Sequence, residues 1–326
     1  MDGATHFENR INLTPLHEAA NAIKAEIGKA IVGQHEFIEL LLVALFANGH
    51  VLIEGVPGIA KTLTAKLLAR TVNTQFSRIQ FTPDLMPADV IGTSVYNFKT
   101  SDFEFKRGPI FANLVLIDEI NRAPAKTQSA LFEVMEERQI TADGTRYELP
   151  PPFMVLATQN PIEQEGTYRL PEAQLDRFLF KIVVNYPNLD QEIEILQGAQ
   201  AGKQTHFNTL IQPVLTVDNL LQYRNLVQQV HVEPLLMRYI ASVVQQTRKH
   251  KDIFLGASPR ASLALLNAGK ALAALRNRDF VKPEDIQYLA APVMNHRILL
   301  SPEKEMEGGT ASQVINLLMQ QTEVPR

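Results

Sequence analysis

From Val51 onward, short continuous apolar runs alternate with stretches of helical spacing. VLIE (51–54) precedes a helical stretch at 61–72, and RIQF (78–81) follows. LVLI (114–117) precedes a second helical stretch at 124–138, and FMVLA (153–157) and LFKIVV (179–184) come after it. Strands that are apolar throughout, bounded by turns and separated by helices, are those of a mainly parallel sheet covered on both faces. Two strand-like segments interrupt the series: SVYNFKTSDFEF (about 94–105) around Thr100-Ser101-Asp102, and RQITADGTRYELP (about 138–150) around Asp143-Gly144. Both are expected to be β-hairpins standing off the sheet.

The ends of the chain have a different periodicity. Thr14-Pro15 marks a helix start, and that helix runs to about Ala30; a second ends near Asn48-Gly49. After about Tyr186-Pro187 no strand pattern remains. Leu220/Leu221/Leu226/Val227, Leu235/Leu236/Ile240/Val243 and Leu263/Leu265/Leu266/Leu272 recur at roughly helical spacing and are assigned to core, with helix starts at Ser258-Pro259 and Lys282-Pro283. The expected organisation is a helical segment at 1–30, an α/β core at 31–186 carrying both hairpins, a part-helical linker at 187–206, and an all-α domain at 207–326.

Composition narrows the function. The 326 residues are 45% hydrophobic, enough for a full core. The net charge of −4 gives no support for a nucleic-acid footprint. Without cysteine there is no disulfide framework and no thiolate metal site. The opening MDGATHFENR is polar, unlike a signal peptide. The longest apolar run, Leu40 to Ala47, is too short to span a bilayer. A cytoplasmic protein is expected.

Chemistry concentrates at three strand ends. Gly55-Val56-Pro57-Gly58-Ile59-Ala60-Lys61-Thr62 nearly fits the phosphate-loop pattern G-x-x-x-x-G-K-[ST], with Ala60 in place of the second motif glycine. Such a loop curls bare N–H groups around an anion and leads into a helix N-terminus that carries unpaired N–H groups and a positive dipole end. Lys61 adds a point charge for the β- and γ-phosphates, and Thr62 a hydroxyl for Mg²⁺. Ile59, Ala60 and Leu63 belong to the same nucleotide-binding turn, and alanine at 60 is tolerable if that position keeps a negative φ. The alternative is a plain strand-to-helix turn. LVLIDEINRA places Asp118 and Glu119 at the C-terminal end of a buried strand, the edge where parallel α/β sheets bind ligands. Asp118 would hold Mg²⁺ and Glu119 would polarise the attacking water. A buried acid pair is costly without a cation, which favours a metal over two helix-capping carboxylates. FMVLATQNP ends a third strand with Asn160, a short amide able to orient water; taken alone, a polar strand end is common.

GVPGIAKT, LIDEINRAPAKTQSALFEVMEE, ATQNP, LPEAQLDRF and SPRASLALL, in this order and spacing, together resemble the MoxR family of AAA+ ATPases, over about Ile31 to Arg297. The resemblance implies a P-loop AAA+ core with a helical lid, usually assembled as a hexameric ring. It implies chaperone-like remodelling driven by ATP with Mg²⁺, often with a partner carrying a von Willebrand factor A domain. It puts Asn160 at the sensor-1 position, Arg177 at the arginine finger that reaches a neighbouring subunit's γ-phosphate, and Arg260 at sensor 2, linking the nucleotide to the lid. Gln34, in IVGQ, would line the nucleotide, and the two hairpins resemble the family's helix-2 and pre-sensor insertions. Rival readings are a DNA-acting motor, a metal-chelatase subunit, and a slow nucleotide switch that only binds partners.

Replacing Lys61 by alanine removes one charge-assisted contact to phosphate. Titration with a fluorescent nucleotide is expected to show affinity lower by about 10- to 100-fold; undiminished binding would return 55–62 to a plain turn.

Overall fold

A computed structural model describes residues 11–160, 168, 170–200 and 211–324. The polar stretch 1–10, Pro161 of the ATQNP motif and the 201–206 part of the expected linker lie outside these. Five strands form one parallel sheet: β1 (His50–Glu54), β2 (Phe76–Gln80), β5 (Leu114–Asp118), β8 (Met154–Gln159) and β9 (Phe178–Val183), in the order β2-β5-β8-β1-β9. Their side chains divide between two apolar layers. Val51, Ile53, Leu114, Leu116, Leu156 and Phe180 face one cluster, and Leu52, Val115, Ile117, Val155 and Phe178 face the other. Burial on both faces explains why these strands are continuous apolar runs.

One face is covered by α3 (Lys61–Thr71) and by two N-terminal helices, α1 (Thr14–Gly28) and α2 (His35–Phe46). The other is covered by α5 (Ala125–Glu137). Antiparallel hairpins stand at β3–β4 (Gly92–Asn97, Asp102–Arg107) and β6–β7 (Gln139–Ala142, Thr145–Glu148), with the short α4 (Pro87–Ile91) ahead of the first. A four-residue turn of helix, α6 (Glu172–Leu175), precedes β9. Helix α7 (Leu189–Gln200) then leads towards the C-terminal helices α8 (Val217–Gln228), α9 (Pro234–Thr247), α10 (Pro259–Leu275), α11 (Pro283–Met294), α12 (Pro302–Met306) and α13 (Ala311–Gln321).

Three features differ from the sequence reading. The C-terminal region is not purely helical: β10 (Ile253–Leu255) and β11 (Leu299–Leu300) pair antiparallel. Strands of three and two residues are too short to give a period of two. Leu235 and Leu263, read as core, are each 59% exposed. Helical spacing locates a stripe, and these two stand beside it. The apolar core also does not stop at the expected boundaries. One cluster runs from Leu13 and Leu16 of the N-terminal region, through Val51 and Phe180 of the sheet, to Leu265 and Leu318 of the lid.

A polar latch reinforces that continuity. Arg297, its side chain 3% exposed, lies between α11 and β11. Its Nε donates to Asp176 Oδ1 at 2.7 Å, and its terminal nitrogens donate to the carbonyls of Asp176, Phe178, Leu179 and Val293. Burial pulls its pKa down, and Asp176 opposes that shift. Ser258, the N-cap of α10, also donates to Asp176, at 2.8 Å. The lid is thereby bonded to the residues that open β9.

Substituting Arg297 by methionine removes a donor from five acceptors, of which the Phe178 carbonyl keeps His296, and leaves Asp176 without its cation. Urea unfolding is expected to show a loss of about 3–5 kcal/mol, the cost of breaking a buried ion pair.

Candidate functional site

The C-terminal ends of β1, β5 and β8 meet at one edge of the sheet. After β1 the chain turns through 55–60 and enters α3. Gly55 lies so close to β9 that a Cβ there would sit 2.8 Å from the Val184 carbonyl oxygen. Gly58 has φ +89° with open space around it, so its demand for glycine is conformational rather than steric. Ala60 has φ +60° and ψ +21°. The condition of a negative φ is therefore not met: the loop has a left-handed residue immediately before the helix, and alanine holds it at a cost of about 1–2 kcal/mol. No side chain caps α3, which leaves its first-turn N–H groups facing the loop. Thr62 and Leu63 lie in that first turn.

Lys61 folds back and donates its Nζ to the Gly55 carbonyl. Burial pulls its pKa down, while the charges of Asp118 and Glu119 oppose the shift. Those carboxylates are therefore within electrostatic reach of the lysine. Asp118, 8% exposed, is paired with Arg78 Nε at 2.6 Å and accepts from Thr158 Oγ1 at 3.3 Å. Glu119 sits in the left-handed region at φ +59°. Its N–H donates to Thr158 Oγ1, and its Oε2 accepts from Gln80 Nε2 at 2.8 Å and lies 3.0 Å from Arg122 Nε. The argument that a buried acid pair demands a metal is thus revised. Arg78 and Arg122 already supply compensating charge, so the acids alone do not establish an ion. Asn160, 8% exposed, completes this edge one residue beyond β8.

Gln34 reaches the same place from the N-terminal side, donating Nε2 to the Ile59 carbonyl at 2.8 Å. Its Oε1 is buried with no hydrogen-bond partner. It lines a cleft of about 360 Å³, with Gly33, Val184, Tyr186, Pro187 and Gln191 among its walls. The donors at the start of α3, the lysine and this orphaned acceptor suit a nucleotide with its phosphates on the loop and its base in the cleft. For Mg²⁺ the fit is a hydroxyl and a carboxylate, Thr62 and Asp118, the sparse protein ligation that a hydrated ion accepts. Among the described residues no cluster of three or more acidic, histidine or cysteine side chains offers a closed metal cage.

Arg177 and Arg260 are not at this edge. Arg177 precedes β9, whose first residue pairs with His50 at the start of β1, whereas the loop follows Glu54 at its end. Five residues of strand separate the two edges by roughly 13 Å or more. Arg260 stands beside Arg177: Glu136, in the last turn of α5, has one oxygen 3.4 Å from Arg177 Nε and the other 3.2 Å from Arg260 Nη2. Arg260, expected to link the γ-phosphate to the lid, has its side chain paired with Glu136 towards the opposite edge in this structure.

Sequence reasoning passed over Arg78, Gln80, Glu136, Asp176 and Arg297. Arg78 and Gln80 alternate on β2 beside the apolar Ile79, a period-two signal. Only the β2–β5 register, with Gln80 opposite Asp118, identifies the acids they face.

Comparison with known proteins follows the same division of the chain. A model of the ATPase family associated with various cellular activities matches residues 50–180, and an AAA lid domain model matches 245–317. The chain is 46% identical over 310 residues to the uncharacterized protein YeaC of Bacillus subtilis, covering 95% of this chain and 96% of that one. It is 44% identical to Chaperone MoxR1 of Mycobacterium tuberculosis, covering 92% and 81%, and 30% identical to Protein MoxR of Paracoccus denitrificans, covering 90% and 92%. A crystal structure of a candidate ATPase from Cytophaga hutchinsonii superposes with a TM-score of 0.89 at 43% identity, covering 96% of this chain and 97% of that one.

Glycine at position 60 tolerates φ +60° freely. Ala60→Gly is expected to stabilise the fold by about 0.5–1 kcal/mol, the relief of left-handed strain less the added chain entropy of glycine, read as a rise in the urea midpoint. A loss of stability would show that the methyl group packs usefully.

Proposed function

The chain belongs to the MoxR family of AAA+ ATPases and hydrolyses ATP, and from that premise we propose that it works as a ring in which each active site is shared by two neighbouring subunits. One observation carries the reading. The phosphate loop and acid pair lie at one edge of the sheet, while Arg177 and Arg260 lie at the other, so a single chain cannot bring them to the same phosphate.

In this reading the triphosphate lies on residues 58–62, its negative charge met by the N–H groups opening α3 and by Lys61. The base occupies the cleft beside Gln34, whose free Oε1 accepts from a purine amine. Thr62 and Asp118 would hold Mg²⁺, which screens phosphate charge. Glu119 orients and deprotonates the attacking water once Gln80 and Arg122 release its carboxylate, and Asn160 positions that water. Arg177 of one subunit meets the charge developing on the neighbour's γ-phosphate, with Arg260 beside it. An arginine supplied across an interface contributes about 10³–10⁵ in rate, so turnover depends on assembly.

The output we propose is chaperone-like remodelling of a client protein in the cytoplasm, supported by the name of the Mycobacterium tuberculosis relative and by the β3–β4 hairpin. Phe98 is 88% exposed and Phe103 69%, and Tyr96 packs edge-on against both. An aromatic tip of this kind suits an unfolded or loosely folded segment better than a nucleic-acid backbone. Because core and lid are bonded through Arg297, the motion that reaches the client is between subunits rather than between lid and core of one chain.

Glu119→Gln keeps the shape and removes the base. Turnover is expected to fall by about 10²–10⁴, with ATP still bound at near-native affinity in a filter or fluorescence assay. Unchanged turnover removes Glu119 from this role.

A further inference from the structure

The carboxylate of Glu136 is shared by two arginines from different parts of the chain. Arg177 comes from the turn before β9 and Arg260 from the first turn of the lid helix α10. Two guanidinium groups brought this close repel each other unless an anion lies between them, and Glu136 supplies it. Arg177 is also held from one turn earlier on α5, where the Phe132 carbonyl accepts from its Nη1. The backbones are pinned independently, since Asp176, next to Arg177, accepts from Ser258, two residues before Arg260.

We propose that Glu136 is a positioning residue: it gathers Arg177 and Arg260 into one paired unit, aimed at the γ-phosphate bound by the neighbouring subunit. The inference rests on the shared-site reading above. Three observations favour a positioning role over a stabilising one. The side chains of Glu136 and Arg260 are 42% and 49% exposed, and ion pairs this exposed add little to folding. Arg177 Nε makes no hydrogen bond, although the carboxylate is 3.4 Å away, so Glu136 holds this guanidinium by charge rather than through a fixed hydrogen bond. The groups that hold the two backbones do not involve Glu136 and stay in place when it is displaced. A γ-phosphate carries more charge than a carboxylate and offers three oxygens, so it takes both guanidinium forks from Glu136 without moving either backbone. Pre-setting the pair removes the need to collect two flexible side chains during reaction.

The test is subunit complementation. An acceptor carries Arg177→Ala and Arg260→Ala with an intact phosphate loop, and a donor carries Lys61→Ala with intact arginines. Each alone turns over slowly. Mixed, they regain ATPase activity at the acceptor's loop using the donor's arginines. Glu136→Gln in the donor is expected to lower the regained kcat at least tenfold with KM for ATP unchanged, and Glu136→Asp to restore part of it. The same change in the acceptor, whose arginines are already absent, is expected to cause no comparable loss. Unchanged kcat with the donor variant overturns the inference. So does an equal loss from either placement, or a loss matched by failure to assemble in size-exclusion chromatography, since each marks a structural role. No recovery in the reference mixture overturns the shared-site reading itself, and this inference with it.

Discussion

All strands of the central sheet run the same way, and the rest of the molecule depends on that constraint. In a parallel sheet every strand delivers its C-terminal residues to one edge. The loop after β1, the acids after β5 and Asn160 after β8 therefore meet without any long-range search. By the same geometry, whatever precedes a strand is delivered to the opposite edge. Arg177, one residue ahead of β9, is excluded from its own subunit's phosphate site. In the shared-site proposal, dependence on a neighbour follows from strand direction.

The site is held in a resting arrangement by internal charge. Lys61 turns back on the Gly55 carbonyl, Asp118 is neutralised by Arg78, and Glu119 is shared by Gln80 and Arg122. Each of these three side chains has a protein partner. A triphosphate competes well for these groups because its charge exceeds that of any single side chain. The strained Ala60 belongs to the same picture. A left-handed turn just before the helix aims its N–H groups inward, and the sequence tolerates an energetic cost there to keep it.

The lid is bound to the core more tightly than a hinged domain would be. A buried arginine bonded to four carbonyls and an aspartate, together with an apolar cluster spanning both regions, makes the subunit one body. The arginine pair is anchored on that latch at one side and on α5 at the other.

By itself the sequence determined the α/β class, the succession of strands and helices along the chain and the phosphate-loop pattern between β1 and α3, but not the order of the strands in the sheet. Each of these is written in local patterns: continuous apolar runs, helical spacing, glycines next to Lys-Thr. What depends on distant segments meeting was decided only by the tertiary structure. The left-handed φ of Ala60 comes from how the loop must enter its helix, and nothing in the residue's identity announces it. That Gln80 reaches Glu119 and Arg78 reaches Asp118 comes from the β2–β5 register. That Arg260 stands beside Arg177 on Glu136 comes from docking the lid against β9. The two-stranded lid sheet was invisible because strands of three and two residues have no period to detect. Local propensity sets the elements, but pairing and docking are set by contacts between residues far apart in the chain, and a single sequence carries no record of which ones meet.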